Sequence, residues 1–156
     1  MEDISFMELA LGLAQESLLE DEVPVGAVVV RNGEVVGTGR NRRELSKNAL
    51  AHAEIEAIDS ACKKLGGWRL WECELYVTLE PCPMCAGAII NSRIRRVVFG
   101  AYDKKAGSCS SVINLFTLPY NHIPEVIGGV MERECSELLS EFFKKLRVQK
   151  ARENQT

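Results

Sequence analysis

Two short motifs supply the residue types of a metal site with an acid–base group beside it. His52-Ala53-Glu54 provides one imidazole and one carboxylate, and the segment 81–85 (Pro-Cys-Pro-Met-Cys) provides two thiols. One imidazole and two thiolates fill three of the four tetrahedral positions around zinc, which leaves the fourth for a water whose pKa the metal lowers toward neutrality. Glu54 would stay free to move protons. The pattern therefore predicts a catalytic zinc site with one ion per chain.

Each motif alone is weak evidence for a catalytic zinc site, and two other functions also fit the cysteine pair. A Cys-x-x-Cys pair that follows a strand and opens a helix also occurs in redox dithiols, although that use leaves His52 and Glu54 without a role. A structural zinc would need a fourth protein ligand, for which Cys109 and His122 are the remaining candidates. The conjunction of the two motifs favours catalytic zinc over these alternatives.

The composition is that of an ordinary globular protein. Of the 156 residues, 46% are hydrophobic and 26% are charged, and we predict a single domain over residues 1–156 with a polar tail from about residue 148 that frays. No apolar run approaches the roughly 20 residues of a membrane span, and the chain starts with acidic residues, so we expect no membrane contact and a cytoplasmic protein. The net charge of -3 argues against a general nucleic-acid binder.

The elements that must position the two motifs are alternating helices and strands. Apolar residues at helical spacing predict the first helix, with Ser5 as its cap, and Asn32-Gly33 is a strong signal for a hairpin. A second helix carries a stripe of Ile55, Ile58, Cys62 and Leu65. The predicted segments are, in order, a helix through 6–14, strands over 25–30 and 34–39, a helix ending at Gly66-Gly67, a strand over 75–79, a helix from the Cys-x-x-Cys motif to Asn91, a strand over 97–99, an irregular segment over 101–123 with one short helical turn, and a final helix from about Cys135.

This order predicts a mixed sheet with helices on both faces. The first two strands form an antiparallel hairpin, whereas a strand, a helix and a further strand imply a parallel pair. Cys82 and Cys85 face the same side of a helix start, where unpaired amides favour thiolates. His52 and Glu54 can serve the same site only if they occupy the first turn of another helix. Helix starts beyond the strand ends of an α/β sheet can converge in this way.

At these motifs the sequence resembles the cytidine deaminase superfamily and, within it, the bacterial tRNA-specific adenosine deaminases. At two places the sequence departs from the usual pattern of the tRNA deaminases. Ala49-Leu50 replace the usual Pro-Thr. Pro83 stands where Val is common in tRNA deaminases and Pro is familiar in guanine deaminases. The resemblance implies a three-layer α/β/α cytidine deaminase-like fold around a mixed, mostly five-stranded sheet. The matching segments are residues 23–27, 51–54, 76–82, 84–88, 92–94, 96–101, 121–122 and 142–147.

The resemblance also implies an activity and its residues. The expected reaction is hydrolytic deamination of adenosine to inosine at the wobble position of a tRNA anticodon, with the zinc ion held by His52, Cys82 and Cys85 and with Glu54 as the proton carrier. A second set of residues would contact the substrate, and its members are Asn41, Ala53, Asp103, Asn121 and His122.

The partners follow from the same resemblance. The target base must be unpaired, so the tRNA anticodon stem-loop is the expected partner, and the family acts as a homodimer whose RNA site uses both subunits. Basic clusters within residues 40–43, 93–96 and 144–152 favour RNA contact. The rival functions are a zinc deaminase of a free base or nucleoside, of the guanine or cytosine type, and a noncatalytic zinc or redox protein. The basic terminal helix distinguishes the tRNA enzyme from the free-base enzyme.

Overall fold

The computed structural model describes residues 2–155, and its elements alternate as the sequence predicts. A short 3₁₀ turn, Leu115–Thr117, lies in the segment expected to be irregular. The sequence pattern did not locate the last strand, β5 (Glu125–Ile127), because three partly exposed residues are too few to give a periodic signal. The helices and strands are α1 (Glu2–Leu19), β1 (Gly26–Arg31), β2 (Glu34–Arg40), α2 (Ala53–Leu65), β3 (Cys73–Leu79), α3 (Pro83–Ser92), β4 (Arg96–Ala101), β5 (Glu125–Ile127) and α4 (Glu132–Glu153).

The sheet is mixed, as predicted, with the strand order β2-β1-β3-β4-β5. Strand β1 is antiparallel to both β2 and β3, whereas β3, β4 and β5 run parallel. The hairpin between β1 and β2 turns at Asn32 and Gly33, whose φ angles of 50° and 80° suit the two central positions of a type I′ turn. The parallel strands β3 and β4 end at the same edge of the sheet, where the two sequence motifs meet.

Helices cover both faces of the sheet and divide the core in two. Helices α2 and α3 pack on one face and α1 and α4 on the other, each over its own cluster of buried apolar side chains. The three-layer α/β/α prediction is therefore confirmed. In the described part of the chain, no helix is both long and apolar enough to cross a membrane.

Helix α2 packs unusually close to strand β2. A Cβ atom at Gly37 would lie 2.3 Å from the carbonyl oxygen of Ala57, and a Cβ atom at Gly39 would lie 2.2 Å from that of Ala53. On the helix side of this contact, side chains larger than Ala cannot fit, and the three residues of α2 that meet the strand, Ala53, Ala57 and Ala61, are fully buried. This contact fixes the start of α2, and with it the position of the His52-Ala53-Glu54 motif.

Three details of the helices differ from the sequence predictions. On α2, Ile58 is buried and Cys62 and Leu65 pack half-buried against the core as predicted, whereas Ile55 lines an outer groove and small residues meet the glycines of the sheet. Ser5 lies inside α1, which already begins at Glu2, and so it does not cap the helix. Helix α4 continues to Glu153, so the expected tail is helical over most of its length.

A polar network ties the start of α1 to the edge of the sheet. The guanidinium of Arg96 donates to Asp3 at 2.6 Å and to Glu74 at 2.7 Å, and the hydroxyl of Tyr76 donates to Asp3 at 2.9 Å. The hydrogen bond from Arg96 lowers the pKa of Asp3 below its ordinary value, and this effect outweighs partial burial, which acts in the opposite direction. The layer formed by α1 and α4 is thus anchored by charges as well as by apolar contacts.

Candidate metal centre and substrate cavity

The starts of helices α2 and α3 bring three metal-ligating side chains together. His52 is the N-cap residue of α2 and Cys82 is the N-cap residue of α3, with Cys85 one turn further along α3. The ligand atoms of these three residues all lie within 4.8 Å of one another. Nδ1 of His52 lies 3.7 Å from Sγ of Cys82 and 3.6 Å from Sγ of Cys85. The two helix starts therefore converge as the sequence predicts.

The donor set and its spacing fit a tetrahedral metal ion such as zinc. Bonds of about 2.0 Å to nitrogen and about 2.3 Å to sulfur separate tetrahedral ligands by roughly 3.5 to 3.8 Å. Among residues 2–155, no fourth His, Cys, Asp or Glu joins the three. His122 instead hydrogen-bonds the carbonyl oxygen of Ile94 at 2.7 Å, and Cys109 is buried in the loop after β4. Neither Cys109 nor His122 is therefore available as the fourth ligand of a structural zinc site. One coordination position of the metal is left for solvent or substrate.

Hydrogen bonds among the three ligands hold Cys82 in the charged form that a metal needs and keep protons on Cys85 and His52 that metal binding would displace. The pKa of the Cys82 thiol is lowered to about 4 because the Cys85 thiol and the His52 ring both donate to its sulfur. The pKa of Cys85 is raised because it donates to the Cys82 thiolate and because it is buried. The pKa of His52 is raised mainly by its hydrogen bond to Cys82. Cys82 is therefore a thiolate, and a cation that displaced the shared protons would gain both sulfur ligands.

Glu54 lies beside the ligands without joining them. It follows Ala53 in the first turn of α2, and it is only 4% exposed. Burial disfavours the charged carboxylate and raises the pKa of Glu54 to about 7. A carboxyl group with a pKa close to neutrality can both accept and release a proton, as a general acid and base must.

A cavity of about 200 Å³ opens directly above this group. It is smaller than the roughly 300–1,000 Å³ of sites for drug-sized ligands, and so it suits a single ring system such as one nucleobase. Three of the predicted substrate residues, Asn41, Ala53 and Asp103, line the cavity together with His52 and Glu54. The structure therefore brings these three predictions into one site with the metal ligands.

The amide of Asn41 has hydrogen-bonding capacity left for a ligand. Its Nδ2 donates to the carbonyl oxygen of Val23 at 3.1 Å, and its Oδ1 accepts from the backbone N–H of Arg43 at 3.3 Å. A second N–H and a second lone pair remain. The backbone of Asn41 is fixed at the same time, because its N–H donates to Val25 and its carbonyl accepts from Ser17. Asn41 is thus an oriented donor and acceptor at the cavity wall.

Two buried carboxylates that the sequence analysis missed hold the loops on either side of the cavity. Glu80 is 1% exposed and accepts from the backbone N–H groups of Asp103, Cys109 and Ser111 at 3.0, 3.1 and 2.9 Å. Burial acts to raise the pKa of Glu80, but the hydrogen bonds from Ser111 and the loop backbone prevail, so its pKa is lowered and it stays ionised.

Glu22 does the same on the opposite wall. It is 2% exposed and accepts from the backbone N–H groups of Glu44 and Leu45 at 3.1 and 2.8 Å. The available sequence signal was an acidic residue directly beside an apolar strand, at Glu22 before β1 and at Glu80 after β3. A carboxylate in such a place is normally buried only when loop amides or charges pair with it.

Asn121 and His122 do not reach the cavity within one chain. Asn121 lines a separate groove along the outer side of α3, together with Leu50, Met84 and Tyr120. The ring of His122 is bound to the backbone at Ile94, which follows the far end of α3. These two predicted substrate contacts therefore lie on a different surface of the same chain.

The predicted basic cluster around Asn41 is only partly free. The side chains of Arg40 and Arg42 are paired with acidic groups, Arg40 with Glu20 at 2.7 Å and Arg42 with Glu56. Arg43 is exposed and lines the cavity, and among residues 2–155 no acidic side chain pairs with it. Arg43 is thus the cation of this cluster that is available to a phosphate.

The chain is similar to known deaminases over most of its length. Residues 1–147 match the family model of the MafB19-like deaminases. A tRNA-specific adenosine deaminase of Bacillus subtilis (strain 168) is 49% identical over 156 residues, which cover 98% of this chain and 97% of that protein.

Solved structures point the same way. A structure from a study of A-to-I editing by tRNA:A34 deaminases at the wobble position of transfer RNA has a TM-score of 0.84 and 47% identity, covering 86% of this chain and 99% of that one. A guanine deaminase from Nitrosomonas europaea has a TM-score of 0.79 and 27% identity, covering 89% of this chain and 83% of that one. The fold is shared by both enzymes, and the sequence similarity is greater to the first.

Proposed function

Because this chain belongs to the MafB19-like deaminases and to the tRNA-specific adenosine deaminases, we propose that it converts the wobble adenosine of a tRNA anticodon to inosine by zinc-dependent hydrolysis. One observation supports this proposal most directly: the ligand atoms of His52, Cys82 and Cys85 lie close enough to bind one metal ion. Glu54 is buried beside them, and the cavity above has about the size of one base. Neither a redox dithiol nor a closed zinc site accounts for that carboxylate.

His52, Cys82 and Cys85 would hold the zinc ion, which is consistent with their spacing and with the thiolate character of Cys82. When bound, zinc would acidify a water molecule and so supply the nucleophile for C6 of adenine. Glu54 would carry one proton from the attacking water to ring N1 and then the remaining proton of the added hydroxyl group to the departing amine. The C6–N bond breaks, ammonia leaves and the carbonyl group of inosine remains.

The walls of the cavity would orient the nucleoside. Asn41 offers one free N–H and one free lone pair, and the backbone of Ala53, which lines the cavity, would lie beside the base edge. Asp103, held in place by the loop that Glu80 binds, would accept a hydrogen bond from the ribose 2′-hydroxyl and so favour RNA over DNA. Arg43 at the cavity mouth would contact a backbone phosphate.

We propose one deaminase domain that acts as a homodimer in the cytoplasm, where its tRNA substrate is found. A groove beside α3 exposes apolar side chains, including Leu50 at 58% and Tyr120 at 48%. Association through such a surface would bury them. It would also give a role to Asn121, which lies in this groove and would then contact RNA bound to the partner subunit, with His122 adjacent.

The test is a comparison of substrates and of one active-site variant. Purified protein is incubated with an anticodon stem-loop RNA that carries adenosine at the wobble position, with free adenosine and with free guanine, and the products are separated by chromatography. We expect inosine in the RNA and one zinc ion per chain by elemental analysis. Glu54→Gln should keep the zinc ion and lose turnover, because the amide cannot carry protons.

Two results would contradict the proposal. Turnover of guanine with none on the RNA would assign the chain to the guanine deaminases, whose fold it shares at a TM-score of 0.79. Full activity of Glu54→Gln would remove the proton carrier from the mechanism. Lys63→Ala is the matched control, since Lys63 lies on the exposed side of the same helix and pairs only with Asp59.

A further inference from the structure

An exposed patch of aromatic and cationic side chains lies between α2 and β3. Trp68 is 49% exposed and Trp71 is 55% exposed. Cζ of Arg69 lies 4.3 Å from the ring centroid of Trp68 and 5.9 Å from that of Trp71. Cζ of Arg93, at the end of α3, lies 5.6 Å from the Trp68 ring. We refer to Trp68, Arg69, Trp71 and Arg93 as the tryptophan patch.

The backbone beneath the patch is firmly anchored. Leu70, between the two tryptophans, is 1% exposed, and its N–H donates to the carbonyl oxygen of Ser92 at 2.7 Å. Its own carbonyl accepts from Cys73 at 3.0 Å, and Gly66 ends α2 in the left-handed conformation. The two indole rings are therefore presented by a fixed loop, which lowers the entropy cost of binding a partner.

The charge of the patch is unbalanced. Among residues 2–155, no acidic side chain forms an ion pair with Arg69, Arg93 or the neighbouring Arg31. Nη1 of Arg93 donates to the carbonyl oxygens of Ile90 at 2.7 Å and Asn91 at 3.3 Å, and Arg93 also lines the groove beside α3, so Arg69 and Arg31 carry the charge that is left for a partner. A cleft of about 260 Å³ adjoins the patch, and Arg31, Arg69 and Trp71 line it, with Glu72 as an acidic neighbour. The whole chain carries a net charge of -3, so a local excess of arginine on an exposed aromatic surface is a feature of this region and not of the composition. Such a surface complements an anionic partner with flat rings.

The patch is separated from the metal ligands by the length of a helix. Helix α3 begins after Cys82 and ends before Arg93. Ten helical residues rise about 15 Å, so the patch cannot touch the base in the cavity. A substrate as large as tRNA extends well beyond its reacting nucleotide and can contact both places.

We propose that the tryptophan patch is a second RNA-binding surface, which contacts tRNA at nucleotides other than the target adenosine. This inference rests on the proposed function, since it takes tRNA as the substrate. Unpaired bases stack on tryptophan faces and on guanidinium planes, while arginines also contact phosphates. A protein partner could use the same residue types, but the uncompensated arginines favour a polyanion.

Intrinsic fluorescence tests the contact without any label, because Trp68 and Trp71 are the two tryptophans of the chain. In the Glu54→Gln protein, which should bind tRNA without turnover, added tRNA should quench the tryptophan emission. Inorganic polyphosphate, which has charge and no rings, should leave it nearly unchanged. Saturation with tRNA, followed in parallel by gel shift, without a change in emission would overturn the proposal, as would equal quenching by polyphosphate.

A pair of double variants tests its importance for catalysis. Trp68→Ala with Trp71→Ala should raise KM for tRNA about tenfold while kcat stays within twofold, because the patch does not touch the reacting base. Trp68→Phe with Trp71→Phe keeps two aromatic faces and should stay within about twofold of the native KM. Sedimentation and zinc content should match the native protein in both cases.

An unchanged KM in the alanine variant would overturn the RNA contact, and a changed sedimentation coefficient would identify the patch as a protein interface instead. Both results differ from a failure of the proposed function. That failure would appear as absent inosine in the native protein, whereas the fluorescence titration reports on the patch whether or not turnover occurs.

Discussion

The two helical layers of this protein are built on the same sheet but have different tasks. Both helices of the α2 and α3 layer begin at the metal centre, and α2 is pressed onto the glycines of β2 at van der Waals limits. The α1 and α4 layer presses α1 onto Gly26 of β1 just as closely, is tied to the sheet by the network around Arg96, and contains none of the metal ligands. Close packing is thus common to both layers, but only in the α2 and α3 layer does it set the position of groups that bind the metal. Equivalent substitutions in the two layers should therefore have different consequences.

The largest contrast is expected between two buried cysteines. Cys85→Ala in α3 removes one of three metal ligands, so zinc content and inosine formation should both fall below detection. Cys135→Ala in α4 is the matched control, because Cys135 is 1% exposed but packs against Gly100 of β4 far along the other layer. Cys135→Ala should lower the free energy of unfolding by about 1–2 kcal/mol and leave the zinc content and the activity unchanged. Elemental analysis and urea unfolding measure the two effects.

Two results would contradict the predicted difference between Cys85→Ala and Cys135→Ala. If Cys85→Ala keeps a full complement of zinc, the three-ligand centre is wrong. If Cys135→Ala loses zinc while still folded, the two layers do not divide their tasks as described.

The second contrast uses a glycine under each layer. A Cβ atom at Gly39 would lie 2.2 Å from the carbonyl oxygen of Ala53, and one at Gly26 would lie 2.0 Å from that of Ala10 in α1. Either alanine variant should lose about 1–3 kcal/mol of stability through overpacking. Gly39→Ala should in addition lower kcat about a hundredfold, because displacement of Ala53 moves Glu54 and His52 from their places.

Gly26→Ala should displace α1 and keep kcat within a few-fold. Thermal unfolding and steady-state kinetics on the same preparations separate the two effects. Equal loss of kcat in both variants would show that α2 is not held by this contact alone.

The sequence predicted the parts of the molecule whose signals are local. The hairpin at Asn32-Gly33 follows from turn chemistry, and the zinc ligands follow from residue types at helix starts. The prediction for α2 was wrong at Ile55 and missed the buried alanines, because helical spacing favours large apolar residues, whereas the sheet presents glycines there and accepts only alanine on the helix. That information is tertiary, and helical spacing does not contain it.

The same limit explains what was missed at the site. Glu80 binds amides from 103 to 111, and Glu22 binds amides at 44 and 45, so their partners are 22 to 31 positions away and of no particular type. Asn121 and His122 were proposed from resemblance, and within one chain they lie beside α3, away from the cavity. Residue types indicate a metal centre, but they do not show on which surface of the molecule a loop residue lies.

The smallest effect should come from the ion pair that anchors α1. Asp3 has its pKa lowered by Arg96, so its contribution to stability is present above the ordinary aspartate pKa near 3.8 and is lost as the pH falls through the lower value in the folded protein. Asp3→Asn should therefore cost about 1–2 kcal/mol at pH 7, a range reduced by partial exposure, and this cost should shrink as the pH falls below 3.8. Activity at pH 7 should be unchanged, because the network lies near the starts of β3 and β4, whereas the metal ligands Cys82 and Cys85 follow the other end of β3. Urea unfolding of both proteins across this pH range measures the difference, and a constant gap from pH 7 to pH 3 would show that the charge of Asp3 contributes nothing.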